Sequence, residues 1–111
     1  MSLTNDCLRA FAAGVVICCA VYRGFAADGE AHIGIDNFIF NPATLTVPVG
    51  TRVEWANDDD VPHTVVEAAG TFKSPALDTQ DKFSFTFNQP GTFNYFCTLH
   101  PHMTGKVVVT P

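Results

Sequence analysis

After Tyr22 the chain alternates between apolar and polar side chains with a period of two, as in Phe83-Ser84-Phe85-Thr86-Phe87. Such alternation places successive side chains on opposite faces of a β-strand, and no stretch after Tyr22 follows the helical period. Turn residues interrupt the pattern about every ten residues, which favours roughly seven or eight short strands. The sequence therefore predicts an all-β protein, a Greek-key sandwich or small barrel. We expect the three phenylalanines and Trp55 to pack in its core.

The expected strands are separated by clear turn signals. Asn41-Pro42, Pro48-Val49-Gly50 and Gln89-Pro90-Gly91 each interrupt an alternating segment. The strands are predicted over residues 32–36, 38–40, 44–47, 52–56, 63–67, 83–87, 92–97 and 106–110.

The first 26 residues have a different character. Residues 10–22 form an apolar run of about 13 residues, too short for a transmembrane helix of about 20. Small residues at positions 24 and 26 then fit the site that signal peptidase reads. We predict a signal peptide over residues 1–26, a single domain over residues 27–111 and a periplasmic location. An uncleaved anchor or a buried helix is the alternative.

The charge and the cysteine content of the predicted domain limit the functions that it can have. Residues 27–111 carry 10 acidic and 4 basic side chains, a net charge of −6, which argues against a nucleic-acid partner. Of the 4 cysteines, only Cys97 lies in this domain. A single cysteine cannot form an internal disulfide, so Cys97 is either a buried thiol or a ligand.

A loop between the last two predicted strands favours the ligand interpretation. Cys97, His100 and Met103 follow one another at intervals of three residues. Thiolate, imidazole and thioether form a soft donor set that selects copper, whereas zinc has little use for a thioether. His63, at the start of another predicted strand, supplies a fourth donor if the two loops meet at one end. Two histidines and a cysteine with a weak axial methionine are the ligands of blue-copper electron-transfer sites.

Several motifs agree with this interpretation: Pro48-Val49-Gly50, Val53-Glu54-Trp55-Ala56-Asn57, Val61-Pro62-His63-Thr64-Val65 and Pro90-Gly91-Thr92-Phe93-Asn94-Tyr95-Phe96-Cys97. On these motifs the chain resembles the cupredoxin family of small blue-copper proteins, in particular the amicyanin, plastocyanin and pseudoazurin group. The resemblance implies that His63, Cys97, His100 and Met103 bind one type 1 copper ion. It also implies a monomeric, exported one-electron carrier that cycles between Cu(II) and Cu(I).

Two other functions stay open at this point. The same ligands suit an extracytoplasmic protein that stores or delivers copper, and the domain also suits an accessory cupredoxin subunit of a redox enzyme. Four protein ligands leave no open position for a substrate, so we do not expect the chain to be an enzyme itself. The expected partner is a redox protein, a c-type cytochrome or a dehydrogenase, and no stable membrane insertion is expected.

The sequence departs from the family pattern at two positions beside the ligands. Thr64 stands where many cupredoxins have asparagine, and we expect its hydroxyl to link the two ligand loops. Leu99 stands where amicyanin-like loops often have proline, so its N–H can reach the Cys97 sulfur.

The surroundings of the ligands carry less specific signals. We expect His102 to be a surface residue, and the acidic run Asp58, Asp59 and Asp60 to be either a solvated turn or an electrostatic docking patch. An apolar patch is expected around the edge of His100. Its candidate members are Leu99, Pro101, Met103 and either Pro42 or Pro62.

Overall fold

The structure, a computed structural model, describes residues 29–111, so the predicted signal peptide lies outside the described residues. This part of the chain forms eight strands. They are β1 (Glu30–Asp36), β2 (Ile39–Asn41), β3 (Thr44–Pro48), β4 (Thr51–Asn57), β5 (Val66–Glu67), β6 (Lys82–Phe87), β7 (Gly91–Phe96) and β8 (Thr104–Thr110). The described residues contain no helix long and apolar enough to cross a membrane.

The strands form two four-stranded sheets. The first has the order β2-β1-β4-β6 and the second the order β3-β8-β7-β5. The β1–β4 and β3–β8 pairs are parallel, and the other pairs are antiparallel. Successive strands from β2 to β7 alternate between the two sheets, so the chain crosses between them repeatedly. The prediction of an all-β sandwich is confirmed.

The core lies between the sheets and follows the period-two pattern. Alternate residues of β4 are buried, with Val53 and Trp55 fully inaccessible to solvent. Trp55 contacts the rings of Phe72, Phe83 and Tyr95, at centroid distances of 5.5, 5.8 and 5.5 Å. The predicted core role of Trp55 is confirmed, and aromatic packing of this kind contributes stability beyond the area it buries.

One glycine is required for this packing. A Cβ atom at Gly105, in β8, would overlap the ring of Tyr95 on the neighbouring strand β7. Only a residue without a side chain allows β8 to pass the Tyr95 ring at this distance.

The topology brings two loops to one end of the sandwich. Strand β5 pairs antiparallel with β7, and Val66 lies opposite Phe96. Because His63 precedes the start of β5 and Cys97 follows the end of β7, both residues lie at this end. The turn between β1 and β2 lies there too, since Ile35 pairs with Asn57 at the end of β4.

Two predicted strands begin later than expected because backbone groups at their predicted starts have other partners. His63 forms an isolated bridge to Leu77 through bonds of 3.1 and 2.7 Å, and β5 begins only at Val66. Phe38 lies in the two-residue turn before β2, where its N–H donates to the Asp59 carboxylate. The remaining strands agree with the prediction to within two residues at each end.

Candidate metal centre

Three of the predicted ligands converge on one point at this end of the sandwich. His63 Nδ1 lies 3.8 Å from Cys97 Sγ, His100 Nδ1 lies 3.6 Å from the same sulfur, and the two nitrogens are 3.2 Å apart. His63 and Cys97 are fully buried, whereas His100 is partly exposed. Three lone-pair donors in such proximity form a group able to hold a metal ion.

The spacing of the donors fits a transition metal. Typical metal–nitrogen and metal–sulfur bonds of about 2.0–2.3 Å, arranged in a plane, separate three donors by roughly 3.5–3.8 Å. The two nitrogen–sulfur separations of 3.8 and 3.6 Å fall within this range, and the two nitrogens, 3.2 Å apart, need to separate only slightly to reach it. Thiolate with two imidazoles is a soft donor set, which favours copper over magnesium, calcium or manganese.

Met103 lies at the end of the same loop and is buried, with 5% of its surface exposed. Its carbonyl oxygen accepts the Cys97 N–H at 3.1 Å, and its own N–H donates to the His100 carbonyl at 2.8 Å. These bonds close the loop on itself, so the backbone fixes the spacing of all three side chains. Burial of Met103 also corrects one expectation, because it is not part of an exposed apolar patch.

The orientation of His63 is set by a carboxylate that the sequence did not single out. Nε2 of His63 lies 2.8 Å from Asp59 Oδ2. An ionised carboxylate can only accept, so Nε2 carries the proton and Nδ1 offers its lone pair toward Cys97. Only the (i, i+4) spacing of the two residues pointed to this pair, and a run of three aspartates obscured it.

Asp59 also accepts two backbone N–H groups from the β1–β2 turn. Asn37 N–H donates to Oδ1 at 2.8 Å, and Phe38 N–H donates to Oδ2 at 2.9 Å. The Phe38 bond is the largest influence on the pKa of Asp59. Burial opposes it, but the bonds from His63 and Asn37 add to it, and the pKa falls from 3.8 to about 2. The carboxylate is therefore ionised at neutral pH.

This arrangement removes Asp59 from the acidic run 58–60, which we expected to be either a solvated turn or an electrostatic docking patch. Asp58 and Asp60 are exposed, but Asp59 is 8% exposed, and both of its carboxylate oxygens accept hydrogen bonds. Asn57 holds the loop in place from inside. Its Nδ2 donates to the carbonyls of Val61 and Leu77, and its Oδ1 accepts the Asp59 N–H.

Thr64 links the two ligand loops, as its position predicted. Its hydroxyl accepts the Thr98 N–H at 2.7 Å and lies 2.8 Å from the Thr98 hydroxyl. Its backbone N–H points to the Cys97 sulfur at 3.4 Å. A hydroxyl therefore provides this link between the loops.

The surroundings of Cys97 favour its thiolate form. Burial by itself raises the pKa of the thiol. The hydrogen bond from the Thr64 N–H, with smaller effects of the adjacent His63 and His100 rings and of the Leu99 N–H, outweighs burial and lowers the pKa from 9.0 to about 6. The thiolate is the metal-binding form of cysteine, so the site is prepared for a cation. The influence of Leu99 agrees with the expectation that its N–H reaches this sulfur.

The remaining histidines lie outside the group. His102 is exposed, in agreement with its predicted place on the surface beside the site. His32 lies on β1, where its Nδ1 is 3.2 Å from a carboxylate oxygen of Glu54. Within residues 29–111, His63, Cys97 and His100 are the group whose donor atoms lie close enough to share a metal ion.

Large apolar side chains are exposed beside this group. Phe38, Ile39 and Leu99 are 48%, 55% and 50% exposed. The ring of Phe38 stands edge-on to the imidazoles of His63 and His100, with centroid distances of 5.4 and 4.9 Å. Leu99, Pro101, Pro42 and Pro62 are exposed as expected, whereas the contribution of the β1–β2 turn to this surface was not predicted.

Comparison with known proteins assigns the family. Residues 9–109 match the family of Cupredoxin-like domains. The chain belongs to the cupredoxin family. It is 39% identical over 88 residues to amicyanin from Paracoccus denitrificans, in a match that covers 75% of this chain and 67% of the relative. The predicted family and its copper cofactor are confirmed.

Two solved structures are also similar. A purple cupredoxin from Nitrosopumilus maritimus superposes with a TM-score of 0.68 at 37% identity, over 72% of this cupredoxin and 99% of the other chain. A copper-containing nitrite reductase from Thermus scotoductus superposes with a TM-score of 0.69 at 29% identity, over 74% of this chain but only 22% of the reductase. The same fold thus occurs both alone and as part of a larger enzyme.

Proposed function

We propose that this cupredoxin is a type 1 copper protein that carries single electrons between redox partners. His63, Cys97 and His100 hold the copper ion, and Met103 supplies a weak fourth ligand. The convergence of two imidazole nitrogens and one thiolate within 3.8 Å of one another carries this proposal. Copper bound here supplies a reversible Cu(II)/Cu(I) couple.

The protein contributes a site that changes little between the two oxidation states. His63 is fixed by Asp59, Cys97 by its bonds to Met103 and Thr64, and the loops by the Thr64–Thr98 link. A rigid donor set limits the rearrangement that accompanies electron transfer, so the barrier is low. One electron enters from a reduced partner and the same electron leaves to an oxidised one, with no bond made or broken in a substrate.

The exposed surface beside His100 suits brief contact with another redox protein. Leu99 and the β1–β2 turn present apolar side chains there, while Asp58 and Asp60 add negative charge nearby. Small interfaces of this kind release quickly, and acidic residues attract a basic partner. The partner we propose is a basic c-type cytochrome or a dehydrogenase with an exposed redox group. The carrier is a monomer exported to the periplasm.

A copper-delivery protein is the second candidate, because the partly exposed His100 offers a route for transfer of the ion. The two functions differ in copper exchange. A carrier keeps its copper through many redox cycles, whereas a delivery protein passes it to a competing Cu(I) chelator within the same period. Buried His63 and Cys97 favour the carrier, since two of the three donors are closed to a competing ligand.

Addition of Cu(II) to the purified protein tests the proposal. We expect one copper per chain and an intense visible band from charge transfer between the Cys97 thiolate and Cu(II). Cys97→Ser should abolish the band. His102→Gln is the matched control, because it changes an exposed histidine of the same loop, and it should retain the band. A colourless complex in the unmodified protein, or preferential binding of zinc, would refute the assignment.

The docking surface has a separate test. Electron exchange with a basic cytochrome should slow steeply as salt increases, and Asp58→Asn combined with Asp60→Asn should weaken this dependence. Glu30→Gln serves as the control, since Glu30 begins β1 at the opposite end of the strand from Asp36. Equal salt dependence in all three proteins would exclude residues 58 and 60 from docking.

A further inference from the structure

The turn between β1 and β2 combines two unusual features beside the proposed copper ligands. Asn37 and Phe38 form a two-residue connection and both have positive φ, at 54° and 60°. This geometry is common in hairpins, where glycine is the favoured second residue because a side chain is strained there. Here the strained position carries a phenylalanine, one of the bulkiest side chains.

The strain is maintained by the surrounding contacts. Asp59 accepts the N–H groups of both turn residues, and the same carboxylate oxygen that binds Phe38 also binds His63. One buried carboxylate thus fixes the turn and a ligand imidazole relative to each other. Strained backbone of this kind persists where the surroundings determine it, and it is concentrated at functional sites.

The strained turn places the Phe38 ring beside the two ligand imidazoles. The ring is nearly perpendicular to both ligand imidazoles, at interplanar angles of 88° to His63 and 90° to His100. Phe38 is 48% exposed, whereas His63 beneath it is 0% exposed. The ring therefore contacts both imidazoles while about half of the Phe38 surface faces solvent.

We propose that Phe38 is a fixed cover over the two imidazoles that excludes water from the metal site and thereby raises its reduction potential, with Asp59 as the residue that positions it. This proposal rests on the proposed function. The oxidised site carries one more positive charge than the reduced site, so water stabilises the oxidised form more strongly. Excluding water thus favours reduction. The neighbouring Ile39 is exposed to a similar extent, at 55%, but it is not aromatic and lies one residue farther along, in β2.

Three variants test the cover. Phe38→Gly removes the ring and also relieves the positive φ, so the loss of apolar contact and the relief of strain oppose each other and the fold is retained. Phe38→Tyr keeps the ring and should behave as the unmodified protein. Ile39→Thr, the matched control, removes an exposed apolar side chain one residue away.

Two measurements are made on the full chain. In the metal-free protein, deuterium exchange at the C2 carbon of His63, followed by mass spectrometry, reports access of water to the imidazole, with exposed His32 as an internal reference. In the copper-loaded protein, voltammetry gives the potential and a titration with azide gives access of an external ligand. We expect Phe38→Gly to speed exchange at His63 several-fold, to lower the potential and to raise the affinity for azide at least tenfold.

Only this combined result, with Ile39→Thr and Phe38→Tyr unchanged, supports the proposal. Unchanged exchange at His63 in Phe38→Gly would overturn the cover, and so would faster exchange with an unchanged potential. A role in docking alone would alter neither quantity, because no partner is present. If the unmodified protein forms no coloured copper complex, the proposed function fails, and the exchange measurement, which needs no copper, decides whether the cover exists.

Discussion

Replacing Asp59 by asparagine isolates the contribution of the buried carboxylate with little change in shape. The carboxylate accepts three hydrogen bonds, from Asn37 N–H, Phe38 N–H and His63 Nε2–H. An amide has one oxygen, so it can preserve the two bonds at Oδ2 but presents its NH₂ group to the Asn37 N–H. One bond is lost and two lose their charge assistance. Charge-assisted bonds contribute about 1.5–3 kcal/mol and neutral ones about 0.5–1.5 kcal/mol. These losses together amount to about 3.5–6 kcal/mol, but an amide is also easier to bury than a charged carboxylate, which offsets part of them. We therefore expect Asp59→Asn to reduce the free energy of unfolding by about 2–3 kcal/mol.

The acidity of Asp59 provides an independent value for the same contribution. Its pKa is lowered from 3.8 to about 2, above all by the Phe38 N–H. At 1.36 kcal/mol for each tenfold change in acidity, this difference corresponds to roughly 2.4 kcal/mol in favour of the ionised form in the folded state. Because the folded-state pKa is the lower one, the stabilisation is complete above about pH 4 and disappears as the pH falls toward 2.

Urea unfolding of the metal-free protein at several pH values between 7 and 3 measures this effect. Asp58→Asn is the matched control, since Asp58 is the exposed neighbour in the same loop, and it should change stability by less than about 0.5 kcal/mol. The gap between the unmodified protein and Asp59→Asn should narrow below pH 4. A gap below about 0.5 kcal/mol at pH 7, or one that is constant down to pH 3, would refute the reasoning.

Three further changes have defined outcomes. Glu67→Gln should cost about 1–2 kcal/mol in urea unfolding at pH 7, because the carboxylate accepts two backbone N–H groups of the following loop. Bonds from that loop, above all from the Thr71 N–H, lower the pKa of Glu67 from 4.5. The stabilisation by the ionised carboxylate is therefore lost as the pH falls below 4.5. A loss of stability in Glu67→Gln that is equal at pH 3 and pH 7 would contradict this. Leu99→Pro should lower the reduction potential in voltammetry, because it removes an N–H that stabilises the Cys97 thiolate, and a rise or no change would exclude that bond. Thr64→Val should cost about 1 kcal/mol in the same unfolding assay, through loss of the hydroxyl link to Thr98, and an unchanged midpoint would show that water replaces the link.

Much of the fold followed from local patterns. Alternation in residues 52–56 and 106–110 marked strands whose alternate residues are buried, as β4 and β8 are. Where local alternation predicted a strand but tertiary hydrogen bonds engaged its backbone, the hydrogen bonds determined where the strand begins. Residues 63–65 alternate like a strand, but His63 pairs with Leu77 and Thr64 turns its N–H to Cys97, so the strand begins later.

The sequence was less informative about which side chains surround the ligands. Three consecutive aspartates look equivalent along the chain, yet only Asp59 is buried. Its burial depends on donors from Asn37 and Phe38, which lie 22 and 21 residues earlier. Alternation identifies the side chains that are buried within a strand, but it does not show which turn faces which loop.

By itself the sequence indicated the chemistry of the site, because Cys97, His100 and Met103 share one short loop and His63 offers another imidazole at the start of a predicted strand. Donor type selects the metal, and donor type is a property of the residues themselves. Only the tertiary structure decided which side chains surround that site, through the bond between Asp59 and His63 and the contact of the Phe38 ring with both imidazoles. Asp59 and His63 lie in one loop, but Phe38 reaches His63 and His100 from a turn more than twenty residues earlier, and its contacts exist only when this turn and the two ligand loops meet at one end of the sandwich.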